Sequence, residues 1–242
     1  MVMKNWCSLR LALVALMLAA CAAATGAQQP LGDDWVRFEL AGTGSDTLWG
    51  ASSVLESAQP LSPSRYGPEK ALDGNPATAW VEGGAGPGIG ESYYFAVTEF
   101  PEELEFVNGY ALNPDLFARN HRVAELRVRV FAAVQVSGFA TELAEMLDAR
   151  SISEERSVEL ADCMQRQRVQ LPFDTTRLRR EMKAFRTSSA IRAWEFPQAA
   201  EMGLEGDEGL PRSFRYVLRL EIAEVYRGTT WEDTCLAEIR PE

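Results

Sequence analysis

Two long runs of alternating hydrophobicity constrain the fold of this chain most tightly. In Val123–Val136, Leu126, Val128 and Val130 alternate with Glu125, Arg127 and Arg129. Successive side chains of a strand point to opposite faces, so this period of two predicts a long strand with one buried and one wet face. Tyr216–Tyr226 carries Val217, Leu218, Leu220, Ile222 and Val225 and reads as a second long strand. Shorter strands are expected at Tyr93–Thr98, with Tyr93, Phe95 and Val97 on one side, and at Leu104–Leu112, interrupted by Asn108-Gly109. Ser157–Met164, Arg168–Phe173 and Leu236–Ile239 complete the set, and Val36–Leu40 is either a first strand or the tail of a linker. Pro114–Asn120 and Gly228–Thr234 read as loops. Thr141–Arg150, with Leu143, Met146 and Leu147 at helical spacing, reads as a helix. Many short strands, Gly/Pro loops and few helices predict an all-β, antiparallel sandwich.

Residues 71–91 are too rich in Gly and Pro for a helix and too rich in polar and aromatic anchors for a slack linker. Asp73-Gly74-Asn75-Pro76 is turn chemistry, because Asp and Asn side chains bond back to the backbone and Gly relieves φ. Trp80 opens a short apolar step, Glu82 closes it, and five glycines follow between Gly83 and Gly90. A long loop ordered by an aromatic anchor and flanking carboxylates is where a β-protein tends to carry its function.

The N-terminus stands apart. Met1–Arg10 carries Lys4 and Arg10 and no acid, and the apolar run Leu11–Ala20 is too short to span a bilayer. Residues 1–20 therefore read as a secretory signal peptide. The run ends in Leu18-Ala19-Ala20-Cys21, which resembles the bacterial lipoprotein signal with Cys21 as the lipidated residue; ordinary cleavage, for example after Ala27, is the alternative. Residues 21–46 form a tether on this reading, and the chain is exported and membrane-anchored at the periplasmic face or the cell surface. The chain's net charge is −11, and losing Lys4 and Arg10 makes the mature chain −13, two charges lower. So acidic a surface argues against nucleic-acid binding. Cys163 and Cys235 would then be the remaining thiols, either paired in an oxidising compartment or each a small buried hydrophobe.

Residues 174–214 change character. Thr176–Arg192 holds Arg177, Arg179, Arg180, Lys183, Arg186 and Arg192, with Leu178, Met182 and Phe185 on one helical face. This predicts an amphipathic helix inserted between two core strands. Its basic face could meet anionic headgroups or an acidic partner; the preferred reading is a solvated helix over the sandwich, paired with the protein's own acids.

Three blocks, in order, carry a resemblance. They are Tyr66–Trp80 with Glu82-Gly83 and Gly88–Glu91; Asn108-Gly109-Tyr110 with Asn120-His121-Arg122; and Val225–Gly228 with Asp233–Ile239. Together they resemble the discoidin-like domain linked to bacterial NAD glycohydrolase toxins, a glycan-binding member of the galactose-binding-like jelly rolls that include the coagulation-factor type C domains. The resemblance covers about residues 48–240 and implies a discoidin-like jelly-roll β-sandwich over 47–242, with the short helical insertion at about 174–214. Two departures stand out: Ala237 replaces the Ser usual in the Ser-Glu-Ile ending, and the insertion is long. Nothing resembles the toxin's catalytic domain.

The resemblance implies a calcium ion held by Asp73, Asn75 and Glu238 with backbone carbonyls, matching calcium's demand for six to eight oxygens. The alternative is that Asp73 caps its own turn and Glu238 pairs with an arginine such as Arg122. For a ligand, Trp80, Tyr110 and Tyr226 could stack on sugar faces while Glu82, Asn120, Arg122 and Asp233 bond hydroxyls. Against this, Trp80 is also a natural core residue, Asn108 and Asn120 could pin loops, and Arg122 could be clamped by Glu82 or Glu91. The pairs Glu82/Glu91 and Glu82/Asp233 could serve as acid and base and His121 could act alone, but no nucleophile elbow, phosphate loop or metal triad accompanies them. The sequence thus predicts a non-enzymatic carbohydrate-binding module of the cell envelope. A protein-binding adhesion or scaffold module with no sugar ligand is the alternative.

Overall fold

The computed structural model describes residues 34–55, 65–137, 144–201 and 210–241, without the side chains of 196–201. The signal peptide, Cys21 and residues 22–33 lie outside the described residues. The folded unit begins at Asp34.

The two alternating runs form its spine. Strand β6 (His121–Val136) and strand β10 (Arg212–Tyr226) pair antiparallel along almost their whole length, from Arg212 opposite Val136 to Tyr226 opposite Arg122. Leu126, Val128 and Val130 are buried as expected, while Arg127 is exposed. Beyond Val130 both faces of β6 are covered. The odd-numbered Phe131 and Ala133 enter an apolar cluster with Phe38, Leu40, Leu147, Ala149 and Val217.

The remaining strands attach to this spine. Strand β2 (Leu48–Ala51) pairs with β4 (Ser92–Val97), and β4 with β10. On the other side β11 (Thr234–Pro241) runs parallel to the start of β6 and antiparallel to β5 (Glu103–Asn108) and β3 (Trp80–Val81). Strand β9 (Gln167–Gln170) closes the edge on β5, and β8 (Arg156–Glu159) pairs with β6. The fold is mostly β, with the antiparallel pairing expected and, among the described residues, two short parallel contacts, β11 with β6 and the bridge Gly109–Leu236.

Three local expectations change. Residues 145–151 are a strand, β7 (Glu145–Ser151), not a helix. It is hydrogen-bonded on one edge to β6 and on the other to β1 (Trp35–Leu40). Leu147 and Ala149 point into the core and Met146 outward, so the helix-like spacing was a strand's alternation satisfied by two neighbours. β1 is a paired strand, so residues 35–40 belong to the fold although they fall within the expected tether 21–46. Residues 114–119 form a short helix, α1 (Pro114–Arg119), whose N-cap Asn113 accepts a bond from the Leu116 N–H and whose first position is proline.

The expected insertion is helical: α2 (Thr175–Arg186) and α3 (Ser189–Glu201) lie between β9 and β10. Leu178, Met182 and Phe185 bury the inner face of α2. Among the described residues no helix is long and apolar enough to cross a membrane. Cys163 and Cys235 are free thiols rather than a pair, and burial pushes the Cys235 thiol well above its ordinary pKa.

Candidate functional site

The strand order gathers one set of loops at one end of the spine. Strands β2 and β5 end there, β4, β6 and β11 begin there and β10 ends there, as Ala51 opposite Tyr93, Ser92 opposite Glu221 and Thr234 opposite His121 attest. The sequence-predicted residues lie on these loops and strand ends, but most point inward.

Glu82 follows β3 and is fully buried. Its carboxylate accepts the Gly84 N–H at 2.7 Å and the Thr234 N–H at 3.0 Å, while its own N–H donates to the Thr234 carbonyl. Thr234 Oγ1 in turn donates to the Pro87 carbonyl. Glu82 thus stitches the glycine-rich loop to β11. Gly88, at φ +69°, lies where a Cβ would sit 2.6 Å from Glu82 Cδ, so the wrap closes only over glycine. Burial raises the Glu82 pKa, with the two backbone donors opposing. Neither acid–base pair involving Glu82 presents two open carboxylates. Glu82 is enclosed, and Glu91 Oε2 accepts from the hydroxyls of Ser52 and Ser53.

Trp80 is 1 % exposed, donates its indole N–H to the Ser53 carbonyl at 3.0 Å and meets Tyr93 edge-on. It offers no face for a sugar, because the apolar step that begins at Trp80 is itself core. Arg122 is buried, and its partner is neither Glu82 nor Glu91 but Asp162, gripped through Nε at 2.8 Å and Nη2 at 2.9 Å. Nη1 donates to the Asn120 carbonyl at 3.0 Å, and the guanidinium lies 5.0 Å from the Phe117 ring centroid. Asn120 ends α1, its Nδ2 donating to the Leu116 carbonyl at 2.8 Å. Asn108 bonds the backbone of Val123, Ala161 and Gly109. Tyr226 donates its hydroxyl to the Leu160 carbonyl, and Tyr110 packs edge-on against Tyr66. The carbonyl of half-buried Asp233 accepts the His121 N–H. His121 is buried rather than loop-exposed, and its Nδ1 is 2.8 Å from the Trp231 carbonyl. These residues brace the loop end.

The expected calcium corner is partly assembled. Asp73 is exposed and caps its own turn, accepting from the Asn75 N–H and from Thr78 Oγ1, while Asn75 accepts from the Ala77 N–H. Glu238 is 2 % exposed, and neither carboxylate oxygen has a hydrogen-bond partner. Its ion-pair partner is Arg240, at 3.4 Å, rather than Arg122. Burial raises the Glu238 pKa, Arg240 opposes, and Asp73 is near enough to add to the rise. Among the described residues no three acidic, His or Cys side chains converge as a metal cage. A buried carboxylate with one oxygen lacking a partner and only Arg240 near the other, beside a turn rich in carbonyls, nonetheless suits calcium, which takes neutral oxygens freely.

An opening lies beside these braces. A groove of about 590 Å³ runs along the β2 edge, lined by Glu39, half-buried Trp49, Gly50, Ser52, Ser53 and Pro68 among others. Its size and its pairing of an indole with hydroxyls and a carboxylate are those of a small-molecule pocket. Sequence reasoning passed over Trp49, whose strand is too short for a clear alternation, and over Asp162. It also missed Trp231, 37 % exposed, with the Arg119 guanidinium 4.0 Å from its ring centroid.

Residues 42–241 match the model of the NAD glycohydrolase translocation F5/8 type C domain. The chain belongs to this family. That match covers the loop end, both spine strands and the helical insertion, so the discoidin-like fold expected from the three sequence blocks is the fold of this F5/8 type C domain. Similar solved structures include the mycobacterial arabinofuranosyltransferase AftD, mutant R1389S (11 % identity, 85 % of this chain and 11 % of that chain, TM-score 0.39). An F5/8 type C domain from Bacteroides fragilis matches at 12 % identity over 83 % of this chain and 93 % of that one, TM-score 0.36. The module CBM32-1 of a family 31 glycoside hydrolase from Clostridium perfringens matches at 12 % identity over 81 % and 94 %, TM-score 0.35. This chain thus spans about a tenth of the arabinofuranosyltransferase. No curated protein matches the chain.

Proposed function

We propose that this F5/8 type C domain is a non-enzymatic carbohydrate-recognition module, exported and anchored by lipid on Cys21 at the cell envelope. The groove beside Trp49 carries the reading. It is large enough for one or two sugar rings, it has an indole for an apolar sugar face, and Glu39 with the remaining lone pairs of Ser52 and Ser53, whose protons go to Glu91, supplies acceptors for sugar hydroxyls. Glu91 holds both serine hydroxyls from behind, so their positions are set before a ligand arrives. The braced residues Glu82, Asn120 and Arg122 keep the adjoining loops rigid, which lowers the ordering cost of binding. Calcium at Asp73 and Glu238, with Asn75 and backbone carbonyls, would add stability to the same region by satisfying the orphaned carboxylate.

A glycan array probed with the chain, with calcium and then with chelator, tests the proposal. A selective hit that Trp49→Ala abolishes in a folded variant supports it. A second reading, a protein-binding module, is favoured by the apolar tips Ile89, Leu112 and Trp231, exposed on loops at the same end of the fold. A blank array together with loss of partner capture in Trp231→Ala would support that reading instead.

A further inference from the structure

The α2 helix has an outer face that the sandwich does not use. Leu178, Met182 and Phe185 turn inward, and Arg177, Arg179, Arg180, Lys183 and Arg186 are all exposed on the remaining arc. Arg177, Arg180 and Lys183 follow one another at three-residue steps, and Arg179, Lys183 and Arg186 at four and three, so they line one surface. Among the described residues the expected pairing with the protein's own acids is limited to one sequence neighbour. Among the described residues the ion pair on these cations is Arg180 with its neighbour Glu181, both well exposed, at 3.4 Å. Asp174 is engaged as the N-cap, accepting from the Arg177 N–H, and Arg186 lies over the Phe214 ring. The chain carries 35 acidic and 24 basic residues, yet five of the basic ones share this one helical face. Like charges at these spacings repel, so the face is incomplete without an anionic surface against it.

The path of the chain says which surface. The folded unit begins at Asp34, and the next residue, Trp35, packs its ring against Phe185 of α2, centroids 5.7 Å apart. The segment leading back to Cys21 therefore leaves the fold from the flank of α2. About 13 residues reach at most ~45 Å when fully extended. A lipid on Cys21 would keep the folded unit within that reach of the bilayer.

We propose that the basic face of α2 docks on the anionic headgroups of the bilayer that holds the anchor, orienting the sandwich on the membrane. This rests on the lipid-anchor reading above and adds a second, electrostatic contact that orients the sandwich, each basic residue near an anionic surface contributing about 1 kcal/mol.

The test uses residues 21–242 as Cys21→Ser, which removes both the signal peptide and the lipid and leaves the helix on the folded unit that begins at Asp34. It is sedimented with vesicles of phosphatidylcholine alone and with vesicles containing phosphatidylglycerol. Docking predicts binding to the phosphatidylglycerol vesicles only, weakened by salt, and reduced about tenfold or more in the variant Arg177→Glu/Arg180→Glu/Lys183→Glu. The milder Arg177→Gln/Arg180→Gln/Lys183→Gln variant, with an unchanged melting curve, should fall in between. Equal binding to both vesicle types, or undiminished binding by the charge-reversed variant, overturns the proposal. So does capture of an acidic peptide without capture of anionic vesicles. Failure of the anchor reading is seen separately, as identical detergent partitioning of the native chain and Cys21→Ser.

Discussion

Arg122 and Asp162 form a two-pronged ion pair, Nε to Oδ1 at 2.8 Å and Nη2 to Oδ2 at 2.9 Å, that ties the first turn of β6 to the loop after β8. Arg122 also reaches the carbonyls of Phe117, Asn120 and Arg227, so one buried guanidinium joins α1, β6 and the β10–β11 loop. A lysine cannot reproduce that fork. Asp162 is exposed and stays solvated, so the cost of Arg122→Ala comes from the packed guanidinium and the backbone carbonyls it leaves without a donor, about 2 kcal/mol, and Arg122→Lys should recover little of it. Urea denaturation of the two variants measures both.

The glycine-rich loop offers a sharper steric test. Gly88→Ala must place a Cβ in the left-handed region and 2.6 Å from Glu82 Cδ. It should lose about 2 kcal/mol. Gly86→Ala, also at positive φ but with open space around it, should lose less. The difference in melting temperature between the two isolates the contact with Glu82.

Glu82 also sets a pH dependence. Burial raises its folded pKa, so the folded protein holds this proton more tightly than the unfolded chain. Below the unfolded value of about 4.3 both states are protonated and the group is neutral to stability. As pH rises from there to the raised folded value the unfolded state ionises first, and stability falls; above the folded value the loss is constant. In Glu82→Gln this fall should disappear, flattening stability against pH over that window. Urea melts at a series of pH values check it, and an unchanged slope would show that Glu82 ionises as freely folded as unfolded.

Calcium should raise the melting temperature more than magnesium does, because buried Glu238 has one oxygen without a partner and only Arg240 near the other, beside a turn whose carbonyls suit a cation of irregular coordination. Glu238→Gln should remove the calcium increment. Calorimetric melts in calcium, magnesium and chelator give the comparison, and equal effects of the two ions would leave Glu238 as Arg240's partner alone.

The sequence and structure agree where periodicity was long. Both spine strands and the break at Asn108-Gly109 were readable because an alternating run of ten or more residues, or a glycine at positive φ, leaves little choice. Short windows misled. Leu143, Met146 and Leu147 fit a helix as well as they fit a strand, and only pairing with β1 and β6 decides. Asn113-Pro114 carried a helix-start signal that was read as a loop. At the loop end the sequence does not reveal which way the side chains point. Glu82, Asn120 and Arg122 face inward because backbone donors and Asp162 claim them, and Asp162 is 40 residues from Arg122 in sequence. Trp49 escaped notice because its strand has only four residues.

The most direct measurement of the central claim is a glycan array with the folded chain, repeated with Trp49→Ala. A carbohydrate-recognition groove predicts selective binding that the substitution removes while the circular dichroism and melting curve stay the same. A blank array from folded protein, or a hit that Trp49→Ala leaves intact, would contradict it.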